Sequence, residues 1–287
     1  MITVADILRN IEILRNLNRI QKNRRLWLKF RFLSLFSNME YFRFRCNLCG
    51  QFSTSPLIEI CARESASCYH CGSSLRYRSI IHILSLELFG ESLILQDFPK
   101  AEIVGIGMSD PDVYAIPLSR RLSYTNTFYH KEPKVDITSI EPQMKSSCDF
   151  IISSEVFEHV PPPIELAFQN IYSLLKPGGV CVFTVPCTKD VSTKEHFPDL
   201  HDYKLVKKWG KTMLINKTKD GVDQIFDNLI FHGGKGSTLE MRVFSESSLI
   251  ENISKASFKD IEIHKCHKPE YGIIWNITES LPISMRR

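Results

Sequence analysis

The chain has 287 residues, 43% of them hydrophobic and 24% charged, with a net charge of +4. Those are the proportions of an ordinary globular protein, and with no run of about 18 apolar residues no spanning helix is expected. Charge is uneven: residues 1–45 hold ten Lys and Arg against three Asp and Glu, an excess of +7 that leaves −3 for the rest, which is not the footprint of a nucleic-acid enzyme, whose basic patch should line the active face.

Residues 1–42 read as a basic, amphipathic helical extension. Val4, Ile7, Leu8, Ile11, Leu14 and Leu17 recur at helical spacing within residues 3–36, with arginines and a lysine at other positions. Such a helix either packs on its own body or a second copy, which leaves a homodimer open, or lies on an anionic membrane with its apolar face in the headgroups. The stretch "LWLKFRFLSLF" is broken by Lys29 and Arg31 and lacks a cleavage site, so it does not read as a secretory signal. A cytoplasmic chain, free or peripheral at the inner face of the membrane, is therefore expected. In that reducing compartment paired cysteines suggest metal more than disulfides, and the sequons at Asn216, Asn252 and Asn276 are chance matches.

Residues 43–75 form the expected metal module. Cys46 and Cys49 make one C-x2-C pair, Cys68 and Cys71 another, with eighteen residues between Cys49 and Cys68. Two such knuckles offer four thiolates for a tetrahedral Zn2+ ion. Gly50 and Gly72 follow each pair, where the knuckle needs a positive φ. Cys61 has no paired partner and His70 sits inside a knuckle, so neither is expected as a ligand. Four protein ligands leave no open position, so the zinc is structural.

From residue 76 to 287 the chain alternates. A helix runs to Gly90, followed by a strand over 101–108, a short helix over 111–122, a strand over 123–130 and a short strand or its approach at "KVDIT". A strand over 148–156, a helix over 162–175 closed by "KPGG", and a buried strand over 180–186 come next. Residues 187–243 break the alternation with polar, His-rich turns and a hairpin around "TKDG". A helix over 245–258, capped by Ser245 or Ser247, and two strands, "DIEIHKC" and "YGIIWNI", end the chain. Repeated β-α units argue for a doubly wound, mainly parallel α/β sheet. Such sheets place ligands at the carboxyl ends of their strands, which makes 187–243 an acceptor or lid insertion.

The turn after the first strand, "VGIGMSD", holds Gly105 and Gly107. It lacks both the third glycine of a dinucleotide fingerprint and the lysine of a P-loop. A carboxylate there, Asp110, repels a pyrophosphate but suits hydroxyls or a cationic ligand.

With "CDFIISSEVFEHV", "LLKPGG" and "VCVFTVP" over 148–186, the chain resembles class I S-adenosylmethionine-dependent methyltransferases. With the cysteine pairs, "GIGMSD", "HFPDLHDY" and "FHGG" it is similar to a bacterial zinc-binding subgroup, often found among genes for surface polysaccharide or glycolipid assembly. The resemblance implies a Rossmann-like, seven-stranded sheet and S-adenosyl-L-methionine as cofactor. Gly105 and Gly107 then lie under the cofactor's amino-acid and sulfonium end, and Asp136 accepts from the adenine amino group. Glu155 lies beside the cofactor, and Glu158 and His159 face cofactor or acceptor. The usual ribose-binding acid after the second strand is missing, which leaves Asp110 or Glu132 for that contact. Asp136 could equally cap a turn before Thr138.

A hydroxyl acceptor needs a base, and His196 or His201 is expected to supply it. Arg242 or Lys235 could bind an acidic group on the acceptor, and Trp209 could stack on a sugar; each could equally be a surface group or core filler. The glycines around Lys235 suggest a lid. The expected acceptor is a small molecule, sugar, glycan or glycolipid. An RNA acceptor is the alternative, disfavoured because 187–243 lacks a basic face interleaved with aromatics, and a non-catalytic relative is a third reading.

Overall fold

The computed structural model describes residues 40–208, 210–232 and 238–287. The expected helix within 3–36, Trp209, and Lys235 with its flanking glycines lie outside the described residues. The chain divides into two units, residues 1–126 with 264–278, and residues 127–263 with 279–287. A late segment, residues 264–278, belongs to the first unit.

In the first unit β1 (Tyr41–Arg45) and β2 (Phe52–Pro56) form an antiparallel hairpin closed by the Arg45–Phe52 pair. The Cys46–Cys49 knuckle is its loop. A short α1 (Leu57–Cys61) leads to the second knuckle and α2 (Leu75–Phe89). The Ser74 side chain accepts from the Tyr77 N–H to cap α2, and Gly90, with φ of 73°, ends it as expected. Next come β3 (Ala101–Met108), α3 (Asp112–Ser119) and β4 (Leu122–Thr127).

The strand expected over 271–277 does not form. Lys268 and Ile273 exchange backbone hydrogen bonds at 2.8 and 3.1 Å around Gly272, closing a tight loop instead. The segment serves as a pad on the knuckles, with Ile273 and Trp275 buried and the Gly272 carbonyl accepting from Arg78.

The second unit contains the predicted β-α-β unit. β5 (Cys148–Ser154) runs parallel to β6 (Leu175–Thr184), joined by α4 (Ile164–Leu174). Helix α4 buries Ile164, Ala167, Phe168, Ile171 and Leu174, one helical stripe. Phe168 packs against Phe157 and Phe183 at ring separations of 4.6 and 6.1 Å, a burial contributing about 1.5–3 kcal/mol. The "KPGG" run does not simply close the helix. Cys148 pairs with Leu175 and Phe150 with Val180, so these residues bulge at the start of β6.

The insertion then adds β7 (Cys187–Thr188), β8 (Lys194–Glu195), the antiparallel meander β9 (Asp202–Lys208), β10 (Lys211–Lys217) and β11 (Asp223–Phe226), the pair β12 (Phe231–His232) and β13 (Thr238–Leu239), and β14 (Arg242–Ser245). The β10–β11 turn is the expected hairpin at "TKDG". Phe197, Leu214, Leu239 and Met241 form a small core of their own. Helix α5 (Glu246–Lys255) is capped by Ser245, and β15 (Lys259–Ile263) and β16 (Ile283–Arg286) end the unit.

The central sheet has six strands among the described residues, not seven. In the second unit the order is β15–β16–β6–β5, and in the first β3 and β4 are neighbours. Parallel pairing joins β5 to β6, while β16 and β15 pair antiparallel at the edge. This is the Rossmann-like α/β sheet expected. Besides "YGIIWNI", whose place β16 takes, "KVDIT" forms no strand: only an isolated bridge, Phe128 to Lys134, remains. Asp136 Oδ1 accepts from the Thr138 N–H at 2.9 Å and its hydroxyl at 2.7 Å, so a local turn takes the backbone donor that a ladder needs. No helix among the described residues is long and apolar enough to cross a membrane.

Candidate functional site

In the first unit β3 ends in the glycine turn. Gly105 and Gly107 are both buried. Ser109 takes φ of 61°, a left-handed conformation that a glycine would adopt with less strain. The Asn126 side chain clamps the next residue, accepting from the Asp110 N–H at 2.9 Å and donating to its carbonyl at 2.8 Å. The Asp110 carboxylate points inward. Tyr114 and Tyr124 donate to its two oxygens at 2.7 and 2.6 Å. Burial raises its pKa to about 6, against the opposing effect of both tyrosine bonds and of Arg76. The acid expected at cofactor hydroxyls therefore has an internal task, and Gly107 shares it. A Cβ at Gly107 would lie 1.9 Å from the Tyr124 hydroxyl and 2.1 Å from Asp110 Oδ2. The side chains beneath the turn already require a glycine there, whatever binds above it.

The four cysteines come together as spaced. Their sulfurs lie within 4.8 Å of one another, with Cys46–Cys71 at 3.7 Å and Cys49–Cys68 at 3.8 Å. A tetrahedron of Zn–S bonds near 2.3 Å has edges of roughly 3.8 Å, so the residues fit the ion. Gly50 and Gly72 have φ of 69° and 74°, and each N–H returns to the carbonyl of its pair's first cysteine, at 2.8 and 2.7 Å. Cys61 and His70 stand outside the cluster; His70 instead meets the Phe52 carbonyl at 3.0 Å. Arg78 is wholly buried beside the thiols. It donates to the Ser73 carbonyl, Ser67 Oγ and the Gly272 carbonyl, each at 2.9 Å, and covers the Phe44 ring at 4.7 Å. Burial lowers its pKa, and negative charge on the cysteines works against that.

In the second unit the carboxyl ends of β5 and β6 are tied together. Glu155 takes φ of 57° directly after β5, an uncommon conformation for a residue with a side chain and one that clusters at functional sites. Its N–H donates to the Thr184 carbonyl at 2.9 Å, and Thr184 Oγ1 donates to its Oε1 at 3.0 Å. The turn Phe157–His159 follows. Asp136 is half-buried and occupied with its own turn, the capping role that sequence reading kept beside the adenine contact.

Three histidines meet here around one carboxylate. Glu240, 7% exposed, accepts from His196 Nε2 at 2.7 Å and pairs with His232 Nε2 at 2.5 Å. His159 stands 5.5 Å from His232, ring to ring. Its Nδ1 donates to the Leu239 carbonyl at 3.0 Å, and its Nε2 lies 3.6 Å from Glu158 Oε1. Burial lowers the His159 pKa, and the Leu239 bond opposes it. The backbone stitches the group: Met241 N–H to the Glu158 carbonyl at 2.7 Å, and His196 N–H to the Met241 carbonyl at 2.8 Å.

Thus His196 shares this group with Glu158 and His159. His201 does not: its backbone N–H binds Asn216 and its side chain is exposed. Of the two roles open to Arg242, the structure gives it the interior one. It is wholly buried, bonded to Glu195 Oε1 at 2.7 Å and to the carbonyls of Phe157 and Val160 at 3.0 and 2.6 Å. That makes it an internal clamp between β14 and the histidine turn, closed to an acceptor. His232, at the end of β12, and Glu240, just after β13, are the functional residues added by the structure.

Residues 90–218 match the family model described as a methyltransferase domain. No curated protein matches the sequence. Solved structures similar to it include the 1,6-didemethyltoxoflavin N1-methyltransferase of Burkholderia thailandensis, 13% identical with TM-score 0.37 over 65% of this chain and 72% of that one. An S-adenosylmethionine-dependent methyltransferase of Clostridium acetobutylicum is 11% identical, with TM-score 0.37 over 63% and 82%. An amino pentose methyltransferase of Micromonospora echinaspora is 11% identical, with TM-score 0.38 over 75% and 92%.

Proposed function

We propose that this chain, with its methyltransferase domain, moves a methyl group from S-adenosylmethionine to a hydroxyl of a sugar, glycan or glycolipid, and holds a structural zinc ion on Cys46, Cys49, Cys68 and Cys71. One observation carries the reading: the match over residues 90–218 contains Gly105, Gly107, Asp110, Asp136, Glu155, Glu158 and His159, every position expected at the cofactor. Glu155 supports it, held at the carboxyl end of a parallel strand in a conformation that costs energy. The cofactor supplies an already activated methyl group. The residues contribute alignment of acceptor, carbon and sulfur, worth up to about 7–11 kcal/mol in the best cases, and removal of the hydroxyl proton. Asp110 supports the glycine turn from below rather than meeting ribose, and Asp136 and Glu155 remain the acids assigned to the cofactor. The test is incubation of zinc-loaded protein with labelled S-adenosylmethionine and a cell-envelope extract. Label in a saccharide or glycolipid fraction supports the reading, and label in RNA or in no fraction removes the acceptor assignment.

A further inference from the structure

We propose that His232 is the general base of the transfer, with Glu240 as its positioning residue; this rests on the methyltransferase reading above. His232 places Nε2 2.5 Å from Glu240, which fixes the proton on that nitrogen and leaves the Nδ1 lone pair without a partner among the described residues. The His232 side chain is 44% exposed and so open to an acceptor, whereas Glu240 is 7% exposed. His196, 15% exposed, occupies the other oxygen of the same carboxylate and keeps it from rotating. The carboxylate is also fixed by its backbone, since the Glu240 N–H donates to the Ile230 carbonyl at 2.9 Å.

Place supports role. The pair is docked on the turn that follows the carboxyl end of β5, through the Met241–Glu158 and His159–Leu239 bonds, at the sheet edge where open α/β folds bind ligands. Among the described residues, the titratable groups facing His232 are Glu240, His196 on the shared carboxylate, and His159 at 5.5 Å with Glu155 and Glu158 behind it.

In the step assigned to it, the acceptor hydroxyl gives its proton to His232 Nδ1 while the oxygen's electron pair forms the bond to the methyl carbon. The carbon–sulfur bond breaks, its pair stays on sulfur, and the positive charge passes from sulfonium to imidazolium, which later releases the proton to water. Glu240 stabilises that imidazolium and holds the ring's tautomer.

The deciding measurement needs no acceptor. In the zinc-loaded full chain with 15N-labelled histidine, imidazole NMR is expected to show His232 protonated on Nε2, a tautomer preference that is lost in Glu240→Ala. His201, exposed and outside the cluster, serves as the control whose spectrum does not change. Label transfer from S-adenosylmethionine to cell-envelope extract is then expected to fall about 10²–10⁴-fold in His232→Asn. S-adenosylhomocysteine binding by calorimetry should be unchanged. A His232 tautomer indifferent to Glu240→Ala overturns the proposal. So does label transfer that survives His232→Asn but is lost in His196→Asn, which leaves the methyltransferase reading intact. A wild-type protein that binds no S-adenosylhomocysteine overturns that reading, and the base with it.

Discussion

Arg78, at the start of α2, donates 2.9 Å to the carbonyl of Gly272, a residue 194 positions further along the chain. The same guanidinium feels the charge of the four cysteines and lies over Phe44. Four thiolates on a divalent ion carry a net charge of about −2, and a buried cation beside them offsets part of it. Replacing Arg78 by Met should therefore lower zinc affinity tenfold or more, measured by competition with a chromogenic chelator. It should also open residues 264–278 to protease while the metal is still bound. Unchanged zinc affinity would reduce Arg78 to a packing residue.

Metal removal should act on the same region. Chelation is expected to loosen the knuckles and α2 first, because the thiolate cluster holds together two loops that share no disulfide. Cys49→Ser should abolish stoichiometric zinc binding, whereas Cys61→Ser and His70→Ala should keep one equivalent. Elemental analysis of purified protein decides between them.

Gly107→Ala would place a methyl 1.9 Å from the Tyr124 hydroxyl and 2.1 Å from Asp110 Oδ2. A destabilisation of about 3 kcal/mol or more is expected from forced overpacking. Because the Tyr124 oxygen is the nearest atom, Tyr124→Phe should recover part of that loss in the double variant, a non-additivity readable from denaturant midpoints. Strict additivity would contradict the geometry.

Asp110 sets a pH dependence. Its pKa is raised from 3.8 to about 6 by burial, so the folded state holds a proton that the unfolded chain releases. Stability from this group is complete below 3.8 and is lost as pH rises through about 6. Asp110→Asn has no such loss. The difference in unfolding free energy, variant minus wild type, should grow across that window by about 3 kcal/mol. Using the difference cancels the zinc release at low pH that both proteins share. A flat difference would show the carboxylate to be stabilised as an anion by its two tyrosines.

The parts legible in the sequence were those fixed by local rules. Strand 101–108, the stop at Gly90, the Ser245 cap and the two knuckles all appear where spacing and turn chemistry put them. What failed depended on competition or distance. "KVDIT" has strand composition, but Asp136 spends its carboxylate on Thr138. "YGIIWNI" is apolar enough for a strand, but Gly272 turns it under Phe44, where a Cβ would meet the ring at 2.7 Å. Arg242 and Glu195 are 47 residues apart, and His196 and Glu240 are 44 apart. No period in a sequence reports such pairs, so neither the internal clamp nor the carboxylate between two histidines is legible there.

The central claim is that the carboxyl ends of these strands hold S-adenosylmethionine, and calorimetry of S-adenosylhomocysteine against zinc-loaded protein tests it most directly. One molecule should bind per chain, with affinity falling at least tenfold in Asp136→Ala and in Glu155→Ala. Absence of binding heat from folded, zinc-loaded wild type, or equal affinity in both variants, would contradict the account.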